Sequence, residues 1–124
     1  ADLIAGFPTE TEEHHQGNLS IIEELGIVHG HIFPYSPRPG TPAERMPQID
    51  RSVIKRRAAE LREQVAQTRR QWLQSLVGKP LSILAERVGT GYAENFARVA
   101  VPAHISAGSS VTIRPTIIEE GLLR

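Results

Sequence analysis

The chain has 124 residues, 40% of them hydrophobic and 5% aromatic, which is enough for one modest domain or two small ones with aliphatic cores. It contains no cysteine, which excludes disulfides, cysteine-ligated zinc and any iron–sulfur cluster held by this stretch itself. No run of about 18 apolar residues is present, so we expect no transmembrane helix and no membrane partner.

The formal net charge is zero, but the charges are unevenly distributed. Residues 1–50 hold eight acids and two bases, residues 51–76 hold seven bases and two acids, and residues 77–124 hold five bases and four acids. This asymmetry predicts three segments with different roles.

The first segment is predicted to form a strand, a helix and a second strand. Residues 2–6 are short and apolar, and Gly6-Phe7-Pro8 ends the strand. Thr9 or Thr11 can cap a helix that closes at Gly26, with an apolar face at His15, Leu19, Ile22 and Leu25. Residues 27–33 follow as the second strand, so a parallel pair with a right-handed crossover is expected.

A stiff loop comes next, at residues 35–42. Three prolines in eight residues cannot lie inside a helix or a central strand. In an α/β barrel the loops after the strands carry the chemistry, which makes this loop a candidate functional site. Within it, Arg38 offers a bidentate fork to a carboxylate or phosphate, and a surface salt bridge is the alternative.

The second segment is predicted to be one long helix. Asp50 is its expected N-cap, and Gly78 and Pro80 stop it. A continuous apolar seam recurs at three- to four-residue spacing at Ile54, Ala58, Leu61, Val65, Thr68, Trp72 and Leu76. The basic residues on its other faces fit either a solvated surface or contact with an RNA backbone.

The third segment reads as several short strands with glycine turns, at residues 81–86, 92–101 and 111–114. This pattern predicts a small all-β barrel of the OB-like size. Arg98 and Arg114 lie on predicted strands and could contact phosphates. Tyr92, beside a glycine turn, is the candidate for base stacking, whereas Phe96 is expected in the core.

Two motifs carry a resemblance to a known family. Residues 2–11, Asp-Leu-Ile-Ala-Gly-Phe-Pro-Thr-Glu-Thr, resemble a strand motif of the radical S-adenosylmethionine barrel. Residues 33–43, with Tyr-Ser-Pro-Arg-Pro-Gly-Thr-Pro-Ala, resemble the end of the next strand in the methylthiotransferase branch, at that family's spacing. Gly91-x-x-Glu94-Asn95-Phe96-x-x-Val99 resembles part of the TRAM domain, an RNA-binding barrel. His29-Gly30-His31, Pro34 and Met46-Pro47-Gln48 look most like the tRNA threonylcarbamoyladenosine methylthiotransferases.

The resemblance implies a fold and a division of the chain. Residues 1–48 would be the C-terminal piece of a TIM-like radical S-adenosylmethionine barrel. Residues 49–76 would be a linking basic helix, and residues 77–124 a TRAM-like RNA-binding β-barrel. The fold class is thus α/β plus a small all-β barrel. The strand-like start and the apolar end at Leu122-Leu123 lead us to expect an excised fragment.

The resemblance also implies an activity. The parent protein would add a 2-methylthio group to N6-threonylcarbamoyladenosine beside the anticodon of tRNA, in the cytoplasm, using S-adenosylmethionine and two [4Fe–4S] clusters. Ile4, Gly6, Phe7 and Pro8 would border the S-adenosylmethionine, although on residues alone Gly6-Phe7-Pro8 also fits a plain turn. The family's Cys-x3-Cys-x2-Cys motif is absent, so this fragment supplies no cluster ligand, is assigned no catalytic residue, and should be inactive alone.

Two other functions stay open: a non-catalytic RNA-binding TRAM module, and a methylthiotransferase that acts on a ribosomal protein. No metal site is predicted, because the pairs His14-His15 and His29-x-His31 lack a clear third ligand. The position of His15 is commonly phenylalanine in the family, so a buried histidine there should weaken packing and require a polar partner. A two-stranded barrel piece leaves unpaired strand edges, through which the fragment is expected to self-associate or stay partly disordered.

Overall fold

The computed structural model describes residues 1–124, and the chain order alternates strands with two α-helices before ending in strands. The first elements are β1 (Asp2–Ala5), α1 (Glu12–Glu24), β2 (His31–Pro34) and α2 (Arg51–Leu76), with a 3₁₀ turn at Pro42–Arg45. Then follow β3 (Leu81–Arg87), β4 (Thr90–Ala93), β5 (Arg98–Ala100), β6 (Ser110–Ile113), β7 (Ile118–Glu119) and β8 (Leu122–Leu123). Neither α-helix has the length and apolar composition needed to span a bilayer.

Residues 1–69 form the first of two compact units. Strands β1 and β2 pair in parallel, from Asp2 opposite His31 to Ala5 opposite Pro34, which confirms the predicted strand–helix–strand order. Thr11 caps α1: its hydroxyl accepts from the His14 amide, and the His14 ring accepts from the Thr11 amide. The core consists of small and aliphatic side chains of the two strands and both helices: Ala5, Ile22, Ile32, Ala58, Leu61 and Val65.

Residues 70–124 form the second unit, a six-stranded sheet in the order β6-β3-β4-β5-β8-β7. All neighbours are antiparallel except β5 and β8, which pair in parallel at Val99 and Leu123. Ile83, Val99 and Leu123 are fully buried in its core together with Leu73 from the last turn of α2. The β character predicted for this segment is confirmed.

The sheet is not a closed barrel. Its strand order is linear, and no pairing joins the end strands β6 and β7. β6 ends at Ile113, just before the buried Pro115, which has no amide to extend the ladder. Beyond it, Ile117 and Arg124 exchange backbone hydrogen bonds within their own hairpin. The first unit likewise holds a two-stranded sheet, so the structure has an α/β unit and a β unit without the closure expected of either barrel.

One predicted strand is interrupted. Residues 92–101 were expected as a single strand, but they form the end of β4, a tight turn and β5. Phe96 has a φ of +66° in that turn, and its amide donates to the Ala93 carbonyl at 2.9 Å. Its side chain is 71% exposed, so the expectation of a core phenylalanine is wrong. The turn's hydrogen bonds, which include one from the Ala97 amide to the Asn95 side chain, outweigh the strand propensity here.

Candidate nucleic-acid interface and cofactor-pocket residues

The turn after β1 holds the residues predicted to border a cofactor. Gly6 has a φ of +77°, and a Cβ on it would lie 2.5 Å from Cγ1 of Ile54 on α2. Glycine is therefore needed both for the backbone conformation and for the close approach of that helix. Pro8 is fully buried, whereas Ile4 and Phe7 are about half exposed and present apolar surface.

The structure brings this turn next to the proline-rich loop. The rings of Phe7 and Tyr35 meet edge to face with centroids 5.5 Å apart, and the Tyr35 amide donates to the Ala5 carbonyl at 2.8 Å. Arg38 lies exposed in the loop, where its carbonyl accepts from the amide and hydroxyl of Thr41. The Arg38 guanidinium makes no ion pair, so its charge is available to a ligand.

A buried ion pair fixes the Gly-Phe-Pro-Thr-Glu turn onto α2. Arg57 Nη1 donates to the Glu10 carboxylate at 2.9 Å and to the Glu10 carbonyl at 3.0 Å, and both side chains are less than a tenth exposed. The same carboxylate accepts from the Gly6 amide at 3.3 Å. Glu10 is thus a structural anchor for the turn.

A second charged cluster joins α1 to α2. Arg56 contacts Glu12 at 2.9 Å and Glu60 at 2.6 Å, and its hydrogen bond, more than any other interaction, lowers the pKa of Glu12 to about 2. Fully buried His15 places Nε2 at 3.5 Å from a Glu60 carboxylate oxygen, but neither of its ring nitrogens makes a hydrogen bond, so the polar partner expected for it is not hydrogen-bonded to it. Glu12, His15 and Glu60 together have ligand atoms within 4.8 Å of one another, but the Arg56 cation already bridges the two carboxylates.

In the β unit, two of the predicted RNA-binding residues are neighbours. Tyr92 on β4 lies directly opposite Arg98 on β5, and the Tyr92 side chain is 37% exposed. Leu84, paired with Tyr92 on the other side, is also exposed. Side chains opposite one another on adjacent strands share a face, so an aromatic ring and a guanidinium are presented together.

Arg114 has a different position. Its Nη1 donates to the Gly78 carbonyl at 2.9 Å, and the Gly78 amide donates to the Pro115 carbonyl at 2.7 Å. The guanidinium therefore helps to fix the chain where α2 ends, while its other N–H groups make no hydrogen bond within the protein. Sequence reasoning assigned it only a phosphate contact.

The contacts of Arg56 and Arg57 were not predicted, although a signal was present. The acidic excess of residues 1–50 and the basic excess of residues 51–76 are opposite in sign, and the two segments pack together. The charge totals could not indicate which bases pair, because that depends on the rotation of α2 about its axis.

Comparison with known proteins identifies relatives along the entire chain. It is 36% identical over all 124 residues to the threonylcarbamoyladenosine tRNA methylthiotransferase MtaB of Rickettsia prowazekii, covering 30% of that protein. It is 37% identical over 89 residues to the tRNA-2-methylthio-N(6)-dimethylallyladenosine synthase of Paracoccus denitrificans, which is 72% of this chain and 20% of that protein. The synthase of the same name from Magnetococcus marinus is 42% identical over 89 residues, again 20% of its length. No family model matches the chain.

The chain spans about a third or less of the length of these curated relatives. The matched part is their C-terminal region, in agreement with the resemblance seen in residues 2–11 and 33–43. The chain is therefore similar, over its whole length, to the C-terminal region of tRNA methylthiotransferases.

Proposed function

We propose that this chain is the C-terminal part of an enzyme that converts N6-threonylcarbamoyladenosine in tRNA to its 2-methylthio derivative. The observation that carries the proposal is the match over the whole chain to a threonylcarbamoyladenosine tRNA methylthiotransferase. The dimethylallyladenosine synthases match about 70% of it. Such a role would place the protein with its tRNA substrate, in the cytoplasm.

Within this proposal, residues 1–48 contribute one wall of a radical S-adenosylmethionine site. Ile4 and Phe7 fit that role, since their apolar side chains are exposed beside the turn. Gly6 and Pro8 would act by shaping the turn, because Gly6 approaches Ile54 and Pro8 is buried. S-adenosylmethionine would supply the methyl group and the radical chemistry. The chain has no thiolate to bind either [4Fe–4S] cluster, so cluster binding must lie elsewhere in the parent protein.

The C-terminal segment would hold the tRNA. Residues 49–76 form the linking helix, and residues 77–124 form the TRAM-like module. In that module the Tyr92 ring and the Arg98 guanidinium suit base stacking and phosphate contact, respectively. Arg114 and Arg38 would add further donors for phosphate or carboxylate groups.

Nucleoside analysis of tRNA tests this function. The full-length protein is expressed in a bacterium that lacks its own threonylcarbamoyladenosine methylthiotransferase, and the digested tRNA is examined by mass spectrometry. We expect the 2-methylthio form of threonylcarbamoyladenosine to appear. A gain of only the dimethylallyl derivative would reassign the substrate, and unchanged tRNA with a methylthiolated ribosomal protein would overturn the proposal in favour of that alternative.

The other class of function, an RNA-binding module without catalysis, is separated by the same experiment. Such a module would bind an anticodon stem–loop in a salt-dependent way but leave all tRNA nucleosides unmodified when the full-length protein is expressed. The absence of both binding and modification would contradict every tRNA-directed role.

A further inference from the structure

Four basic residues lie along one face of α2. Arg51, Lys55, Arg62 and Arg69 are separated by four, seven and seven positions. At 3.6 residues per turn these positions fall within about 40° of one another, and the row they form is about 27 Å long. We call these four residues the basic row.

The basic row borders two adjacent cavities beside β2. The larger, of about 650 Å³, is lined by Arg51, Lys55 and Arg62 and by the loop residues Pro34, Tyr35 and Pro37. The smaller, of about 340 Å³, is lined by Arg62, Arg69 and the residues that lead into β2. No acidic residue lines either cavity, and Arg62 belongs to both.

The charges of the basic row are not neutralised within the protein. Arg51 and Lys55 make no ion pair, and Arg62 donates only to the Ile32 carbonyl, at 3.3 Å. Arg69 Nη1 lies 2.8 Å from Nδ1 of His29. Burial and, next, the Arg69 charge lower the pKa of His29, which favours a neutral imidazole ring that can accept this hydrogen bond.

The neighbouring bases of the same helix behave differently. Arg56 and Arg57 are paired with Glu10, Glu12 and Glu60. The arginines that form ion pairs and the basic residues that form none therefore lie on different faces of α2. A row of like charges without counter-charges repels itself and is stabilised by an external polyanion.

The cavity next to the row also offers surface suited to a nucleobase. Tyr35, Pro37 and Ile54 supply aromatic and apolar area. The Tyr35 hydroxyl, in a residue that lines this cavity, is buried without a hydrogen-bond partner. Aromatic surface beside a track of cations is the chemistry that binds single-stranded nucleic acid.

We propose that the basic row and the loop Pro34–Pro37 form a groove that binds a single-stranded stretch of RNA through its phosphates. This inference rests on the proposed tRNA-directed function and adds a second contact surface, in the α/β unit, to the one proposed on the β unit. The groove includes Tyr35, whose ring contacts Phe7, so RNA held there would pass beside a residue predicted to border S-adenosylmethionine.

Fluorescence anisotropy with a labelled anticodon stem–loop RNA tests the groove, using the full 124-residue chain. The test variant is R51Q/K55Q/R62Q. The matched control, R45Q/K79Q/R87Q, removes three exposed cations outside the groove and changes the net charge equally. We expect the test variant to bind roughly tenfold more weakly at low salt and to reduce the slope of log affinity against log salt by about 2. The control should change affinity less than about twofold, and circular dichroism should show that both variants are folded.

Two results would overturn the groove. Equal loss of affinity in the test and control variants would show that only total charge matters. Unchanged affinity in the test variant, with loss in a Y92A/R98Q variant, would place all RNA contact on the β unit and leave the proposed function intact. No binding by the unsubstituted chain at low salt would overturn both the groove and the RNA-gripping role of this segment, although nucleoside analysis of the full-length protein would still test the activity.

Discussion

At Gly6 two separate constraints act on one residue. The φ of +77° disfavours any side chain, and a Cβ would meet Ile54 at 2.5 Å. Gly26 has a φ of +62° but nothing within 4 Å of its Cβ position, so it carries only the first constraint. Comparing substitutions at Gly6 and Gly26 therefore separates the free-energy cost of backbone strain from the cost of a steric clash with α2.

We expect Gly6→Ala to lower the free energy of unfolding by about 3 kcal/mol, of which about 1–2 kcal/mol is backbone strain and the rest is overpacking. Gly26→Ala should lower it by about 1 kcal/mol. Urea denaturation of both variants measures the difference. Equal losses would show that Ile54 moves aside freely and that α2 does not constrain this turn.

The Arg57–Glu10 pair predicts a large effect at a single residue. Both side chains are nearly buried, so Arg57→Met leaves the Glu10 carboxylate without its cation and should cost about 3 kcal/mol. Arg56→Met, one position along the helix, removes half-exposed contacts and should cost less than about 1 kcal/mol. Similar midpoints for the two variants in thermal denaturation would contradict the burial of the pair.

Residue-level prediction from the sequence succeeded where a local rule applies. Thr11 is one of the two threonines that the sequence offered as the helix cap, with His14 rather than a glutamate as its capping-box partner, and the turn at Gly6 follows from the Gly-Phe-Pro signal. The partner of Glu10 lies 47 positions away, and no local rule reaches it. Of the acids at residues 10–13, Glu10 and Glu12 bind arginines of α2.

At the scale of elements, charge joins α1 to α2 alongside apolar packing. Glu12 contacts Arg56 and Arg57, and the Arg56 hydrogen bond holds the pKa of Glu12 near 2, below its ordinary 4.5. A carboxyl whose folded-state pKa is depressed stabilises the fold fully above its unfolded pKa. That contribution is lost as the pH falls from about 4.5 towards 2.

We therefore expect the stability difference between the unsubstituted chain and Glu12→Gln to be largest above pH 5 and to vanish near pH 2. Glu13→Gln, in the same helical turn but without an ion pair, is the matched control and should show little pH dependence. Chemical denaturation across this pH range provides the measurement. A constant difference between Glu12→Gln and the unsubstituted chain would rule out the Arg56 contact in solution.

The elements themselves were largely predictable, because their signals are local. Both α-helices and the strands at residues 2–5, 81–87 and 110–113 lie close to their predicted bounds. The strand expected at residues 27–33 begins only at His31 and extends to Pro34. The break at Phe96 arises from a turn with positive φ at a bulky residue, which propensity disfavours.

For the whole molecule, barrel closure was the feature that sequence patterns could not establish. Short apolar runs and glycine turns predict how many strands are present, but barrel closure depends on the strand register and on pairing between the two end strands. Here the end strands β6 and β7 do not pair with each other, and the parallel β1–β2 pair keeps an open edge on each side. The expectation of a barrel for the first unit came from the resemblance of residues 2–11 and 33–43 to the radical S-adenosylmethionine barrel.

Exposed apolar residues on β1 and β2 lead to the last prediction. Ile4 and Phe33 lie opposite each other in the parallel register, and each side chain is about half exposed. With unpaired strand edges beside them, a second copy of the chain can cover both the backbone groups and the apolar area.

We expect the weight-average mass in sedimentation equilibrium to rise with protein concentration, and Phe33→Lys to reduce that rise because a charge opposes burial at the strand edge. Phe96→Lys, at a still more exposed phenylalanine on the β unit, should leave the association unchanged. A monomer at all concentrations would show that the open edges of this unit do not associate with one another.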